Sequence, residues 1–465
     1  MENGYKDLDS NTSKADEYVE LNPYETYKKS FSWLWESPKD LWILYIVKLV
    51  GFSGFSIGVV ANSIYVTEIL DFSDTEYAFY AFSQSLIVCF YALALGWLID
   101  RLGVRISMLL TNGAGIASYT LLIIVSSTAV RLCVLLFILT ITWSINNASV
   151  KLGIKKYTSH RSRSIAYSMF TVFMSLCVGI ASIIVGISFN FGDDEDEDTY
   201  FVLFLIAASL MGLGFALSIL LRELDFNMRG EEELDIDTKR ETKWQAFKAA
   251  FSYKSFWRLM GVAFCISLTR TVYVHVLYTL PLYMERDLGN DSQFAYVIGS
   301  IQLMTIIFTP IMTVMVYYYD KYTILIIGGS LCAISPLALI FGGNYFTILT
   351  FAFILSIGDS ISFPRLIEYT LEQAVPGREG SYFLLSSFPL TVGSLIAGLS
   401  SGLLLGEYCP EDGENRCWMV WLVISSIALV GAISLFFLRK WLEQPVLEPN
   451  PYVSWSHEAD NDKHN

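Results

Sequence analysis

Two charged residues in this chain stand where charge is hardest to accommodate. Asp359 is the one carboxylate in TFAFILSIGDSISF, residues 350–363, and Arg270 is the one permanently charged group in LMGVAFCISLTRTVYVHVLY, residues 259–278. A guanidinium among apolar neighbours can hold an anion, and a carboxylate there can pair with a cation or carry a proton. Each lies about 14 residues into its apolar run, roughly 21 Å along a helix, and the two runs approach from opposite directions. Both therefore fall at one depth, and the spacing predicts an Arg270–Asp359 interaction, direct or through a bound molecule. The alternative is a static pair that orients two helices.

Helical spacing supplies neighbours. Tyr273 lies one turn from Arg270, while His275 and Tyr278 share another face. His275 titrates near neutral pH and is a candidate proton carrier, or else a structural hydrogen-bond donor. Lys48, Phe52, Phe55, Val59 and Asn62 form one stripe. Lys48 stands about 10 Å deep, where it either faces an interior or snorkels to the interface. Asn146 and Asn147 lie near Trp143 and Lys151, and Gln302 stands alone in another run. All three amides read as ligands or as hydrogen bonds that hold helices together.

Several chemistries are unsupported. The sequence offers no Ser/His/Asp set, no His/Cys cluster at metal-ligand spacing and no phosphate-binding loop, so neither metal nor cofactor is expected. The net charge of −14 comes without a basic, aromatic-interleaved patch and gives no reason to expect nucleic acid. One enzymatic reading is remote: intramembrane aspartyl proteases use Tyr-Asp and Gly-x-Gly-Asp, and Tyr319-Asp320 and Ser356-Ile357-Gly358-Asp359 approach that pattern. The first glycine is missing and Asp320 falls in a loop, so no enzyme is expected.

The elements that must position these residues follow from composition. Of 465 residues 54% are hydrophobic and 16% charged, against about 25% charged in soluble domains. Apolar runs of about 20 residues mark membrane helices. Twelve are predicted: 41–70, 77–99, 106–127, 132–152, 165–189, 200–221, 256–283, 294–318, 323–341, 345–363, 381–405 and 418–438. The fold expected is an all-α membrane protein of two six-helix bundles, residues 41–221 and 256–438. A tail (1–40), a linker (222–255) and a second tail (439–465) complete the chain. Basic residues from Arg101 to Lys440 crowd one side, and the other holds only Arg131, Arg286 and Arg416, so both termini and the linker are placed in the cytosol. Residues 1–40 are polar, without the pattern of a cleaved signal peptide. The membrane itself, plasma membrane or endomembrane, is left open. Cys409 and Cys417 fall in the last outer loop and can form a disulfide if it meets an oxidising compartment. The sequon at Asn290 also falls outside, close to the membrane.

The loop between spans two and three reads GWLIDRLGVR, residues 96–105, and its second-half counterpart is YYYDKYT, residues 317–323. The first resembles the signature loop of the major facilitator superfamily at Gly96, Leu98, Asp100, Arg101, Gly103 and Arg105; only Asp320 and Lys321 persist in the second. The resemblance implies two bundles around a central cavity that opens alternately to each side, with this loop as a cytosolic gate. Residues 256–289 and 364–387 bear a weaker likeness to the oligopeptide-transporter branch. That branch's first-helix Glu-x-x-Glu-Arg has no counterpart here, where the segment reads KLVGF, residues 48–52. The expectation is a monomeric secondary transporter of a small polar or anionic solute, with Asp359 as candidate carrier in proton coupling. The alternative is a transporter-like receptor that binds solute without flux.

Overall fold

A computed structural model describes residues 28, 31–158, 160–192, 197–223, 254–289, 293–316, 319–372, 379–410 and 416–443. Helix α1 (Lys39–Ile64) follows Pro38 and continues as a π-turn, Tyr65–Ile69. The next helical element, Asp74–Ile124, is interrupted at Gly103, whose φ of 78° and ψ of 176° divide it into α2 (residues 74–102) and α3 (residues 104–124). A capping box starts α2: Glu76 N–H donates to Ser73 Oγ and Ser73 N–H to Glu76 Oε2. Then come α4 (residues 128–157, with a π-turn at Val134–Leu139), α5 (His160–Phe191) and α6 (Glu197–Ser218).

The second half repeats the count with α7 (Lys254–Tyr278), α8 (Phe294–Met315), α9 (Lys321–Ile334), α10 (Tyr345–Glu372), α11 (Glu379–Tyr408) and α12 (Trp418–Phe437). Among the described residues eleven helices are long and apolar enough to cross a membrane; α2 supplies the remaining predicted span. Large apolar side chains such as Leu110, Leu205, Leu303, Val430 and Phe436 are exposed, as a surface facing lipid requires.

Two elements depart from expectation. The tenth span was predicted to stop before Pro364, yet α10 continues to Glu372. The proline removes one backbone hydrogen bond, but the apolar face carries on through Leu366, Ile367 and Tyr369, all buried. The ninth span is α-helical only to Ile334, after which Pro336 accompanies a tighter 3-10 stretch, Ser335–Phe341.

Helix α1 packs on α5 and α6, and α7 on α11 and α12, while α2 on α11 and α5 on α8 form the seam between halves; the largest apolar cluster runs across that seam. The seam is unlike at its two ends. At the end carrying Cys409, Arg286 Nη2 lies 2.7 Å from Asp74 Oδ1 and Arg286 Nη1 3.1 Å from Asp74 Oδ2. The same Nη1 donates to the Cys409 carbonyl at 3.0 Å. Gly402 is pressed against Asp74 and Ala78, leaving no room for a side chain, and Asn190 bonds Tyr296 at 2.8 Å across α5 and α8. Nearer the Gly103 end α5 and α8 line a pocket of about 220 Å³ with Ile165, Met169, Val172, Ile306, Thr309 and Pro310, and Ile367 of α10 packs into the first half's cluster beside Tyr167 and Phe170.

Candidate functional site

Helices α7 and α10 bring Arg270 and Asp359 into direct contact. Arg270 Nη1 donates to Asp359 Oδ1 at 2.5 Å, and their side chains are 17% and 6% exposed. Gly358 fixes the height of Asp359: a side chain there would meet the Cys332 backbone nitrogen at 2.8 Å, so α9 and α10 touch backbone to backbone. The Arg270 guanidinium also stacks 4.0 Å from the Phe363 ring and 5.5 Å from that of Tyr273. Tyr273 OH donates to Gln302 Oε1 at 3.1 Å and Gln302 Nε2 donates to Tyr273 OH at 2.9 Å. Gln302 in turn backs onto Gly179 of α5. The cluster is thus a charge pair, a tyrosine and an amide reaching the seam, able to hold a polar molecule at two or three points.

The first half holds a different group. Lys48 does not snorkel; it is fully buried. Its Nζ donates to Asn146 Oδ1 at 2.6 Å and to Asn147 Oδ1 at 3.2 Å, and stands 3.2 Å from the Phe52 ring centroid. Trp143 packs beside Phe52 and Phe55, with ring centroids 5.3 and 5.6 Å away. The stripe read from α1 therefore divides: Lys48 and Phe52 join α4, while Asn62, a helix length further, accepts from Tyr80 OH at 2.8 Å. His275 is bonded on both ring nitrogens, Nδ1 to Thr279 Oγ1 at 2.7 Å and Nε2 to Ser400 Oγ at 3.3 Å. Those hydroxyls tie α7 to α11 and place His275 apart from the Arg270 cluster.

The gate-loop residues act through Gly103. Its positive φ turns the chain so that the N–H groups of Val104 and Arg105 both donate to Glu223, at 3.0 and 3.2 Å, while Lys156 Nζ lies 2.9 Å from the same carboxylate. Partial burial raises the Glu223 pKa, but these donors outweigh it and hold the carboxyl below its ordinary value. Gly96 lies within α2, and the side chains of Asp100 and Arg101 lie outside the described residues. In the second half Asp320 caps α9 by accepting from Thr323 N–H at 2.8 Å, and Lys321 pairs with Glu368 at 3.2 Å. Cys409 and Cys417 are joined, with Cα atoms 4.6 Å apart. The sequon at Asn290 and most of the linker, residues 224–253, lie outside the described residues.

Three groups escaped the reading of sequence: Glu223 over Gly103, Phe363 under Arg270, and the Asp74–Arg286 pair. The first two lacked any local pattern. The last had one, since Arg286 is among the few basic residues on its side of the membrane.

A family profile described as Major Facilitator Superfamily matches residues 42–286 and 259–456. No curated protein sequence matches the chain. Among solved structures, a POT family transporter in complex with 5-aminolevulinic acid superposes with a TM-score of 0.67 at 14% identity, covering 88% of this chain and 97% of that one. A mutant of the peptide transporter POT in complex with alafosfalin gives 0.65 at 16% identity, covering 87% and 95%. The nucleoside transporter NupG gives 0.63 at 13% identity, covering 87% and 100%. At such identities the likeness is one of fold.

Proposed function

The chain belongs to the Major Facilitator Superfamily, and from that premise we propose that it is a secondary active transporter moving a small polar or anionic solute by alternating access. The observation that carries this reading is the buried Arg270–Asp359 pair, 2.5 Å apart, beside the seam between the halves. Solute enters between halves 41–221 and 256–438, and its anionic group takes the place of Asp359 on Arg270. Asp359 takes up a proton as it lets go, which links solute occupancy to a proton on the same helix pair. Rocking of the halves then breaks the Asp74–Arg286 contact. With both termini in the cytosol, the closed end faces outward, where an oxidising compartment suits the Cys409–Cys417 bond.

The solutes named with similar folds, nucleosides, peptides, 5-aminolevulinic acid and alafosfalin, are small and polar, which supports the class without choosing a member. A proteolytic role has no support in the geometry: Asp320 caps α9 and Asp359 holds Arg270, so the two carboxylates share no partner. The test is uptake by purified protein in vesicles against a panel of peptides, amino acids, nucleosides, sugars and organic anions. Saturable accumulation of one class is the expected outcome. Binding without flux for every class would instead identify a receptor.

A further inference from the structure

The two halves handle their buried cations differently. Arg270 has a carboxylate; Lys48 has none. Its titratable neighbours are Cys177 and Lys151, and among the described residues no carboxylate pairs with it. Its partners are amide oxygens and ring faces: Asn146 at 2.6 Å, Asn147 at 3.2 Å, Phe52 at 3.2 Å and Phe170 at 5.7 Å to the ring centroid. These are dipoles and quadrupoles. They recover part of what burying an ammonium costs but bring no opposite charge. An aspartate at 146 or 147 would have completed the neutralisation. Asparagine stands at both, so neither side chain sets a negative charge against Lys48.

We propose that Lys48, flanked by Asn146 and Asn147, is the subsite for an oxyanion of the transported solute, a carboxylate or a phosphate. This rests on the transporter reading above, in which one group of the solute engages Arg270, and adds a second anchoring point, for an oxyanion at Lys48. The Asn147 contact is the longer of the two, and its side chain is only half-buried, so it is the one an incoming oxygen displaces. Lys151 Nζ stands 5.9 Å from the centroid of the Phe170 ring, which Lys48 also approaches. Phe170 belongs to the apolar cluster that Phe363 packs against, and Phe363 is the ring beneath Arg270. An aromatic layer thus joins the lysine pole in one half to the charge pair in the other. A solute anchored by its oxyanion at Lys48 presents its far end to Arg270 and Asp359. An ammonium is a compact point charge rather than a fork, so the subsite demands charge and does not select between carboxylate and phosphate.

The experiment uses the purified full chain and follows its melting temperature with matched probes that differ in one charged group. The pairs are alanyl-alanine with its C-terminal amide, succinate with succinamide, and uridine 5′-monophosphate with uridine. At least one oxyanion is expected to raise the melting temperature while its neutral mate does not, and which pair responds tells carboxylate from phosphate. Lys48→Gln is expected to weaken that response about 10- to 100-fold, and Lys48→Arg to retain most of it. A second variant guards against misfolding: Asn147→Asp supplies the missing counter-charge and is expected to abolish the response while keeping the fold. The proposal is overturned if neutral and anionic mates stabilise equally, if no oxyanion stabilises, or if Lys48→Gln or Asn147→Asp leaves the response intact. Flux of a neutral solute that Lys48→Gln leaves unchanged would also overturn it without touching the transporter reading. Oxyanion binding without flux would do the reverse.

Discussion

Arg270 and Lys48 are both basic side chains buried within a membrane helix, and they are accommodated in opposite ways. Arg270 is neutralised by Asp359 at 2.5 Å. Lys48 is solvated by two asparagines and a phenylalanine. A paired ion is held in place, and anything that engages it must first displace its partner, which makes the pair suited to coupling. An ion solvated only by dipoles is already poised for an anion, which makes it suited to recognition. On the proposed reading one half switches and the other binds.

The contrast has an energetic consequence. Removing one member of a buried pair strands its partner, at about 3–5 kcal/mol. Removing an ion that has only dipolar partners relieves a desolvation cost while leaving acceptors unmet at about 1–3 kcal/mol, so the terms oppose each other. Arg270→Met is accordingly expected to lower stability in detergent by about 3–5 kcal/mol. The double change Arg270→Met with Asp359→Leu should recover most of that loss and none of the transport. Lys48→Met should fall within about 2 kcal/mol of the parent in either direction. Equal losses at the two positions would mean that the halves do not differ as described.

A weaker contrast sets the seam's two ends apart. At the Gly103 end Gly103→Ala places a side chain in a backbone region reserved for glycine and against Glu223. A loss of about 1–3 kcal/mol in unfolding free energy is expected there. At the closed end Asp74→Asn leaves Arg286 its bond to the Cys409 carbonyl but removes the charge pair. The expected readout is faster thiol labelling of an introduced Ala81→Cys, by about 5- to 30-fold if the pair contributes about 1–2 kcal/mol to closure. Unchanged labelling would mean that apolar packing alone keeps that end shut.

The smallest effect is one of pH. The folded pKa of Glu223 is depressed, so the stability its carboxylate contributes is fully present above the unfolded value, about 4.3. It is lost as pH falls through the lower folded value. Glu223→Gln should flatten that acid limb and leave stability near neutrality little changed. An acid limb identical to that of the parent would show that the carboxylate does not act through its charge.

What could be read from the chain alone followed the strength of the local signal. Apolar runs located the membrane helices, because a helix in lipid must satisfy its own backbone and hide its charges. For the same reason Arg270, Asp359 and Lys48 stood out, and the equal depth of the first two brought them together before any coordinates. Helical periodicity placed Asn62 on the Lys48 stripe but could not tell that one end of a long helix meets α4 and the other meets Tyr80. Glu223 was hidden because its importance lies in Gly103, more than a hundred residues away. The continuation of α10 past Pro364 was hidden because tertiary burial of Leu366 and Ile367 outweighs one lost hydrogen bond.

The coupling role given to Asp359 is best examined in vesicles that hold the purified chain and a solute it carries. Two rates are compared in the parent and in Asp359→Asn: exchange of labelled for unlabelled solute without a gradient, and accumulation driven by a pH gradient. If Asp359 carries the proton, the variant, neutral at all pH values, keeps exchange and loses the driven accumulation. Full pH-driven accumulation by Asp359→Asn would contradict that role and leave the Arg270 pair as a structural tie between two helices.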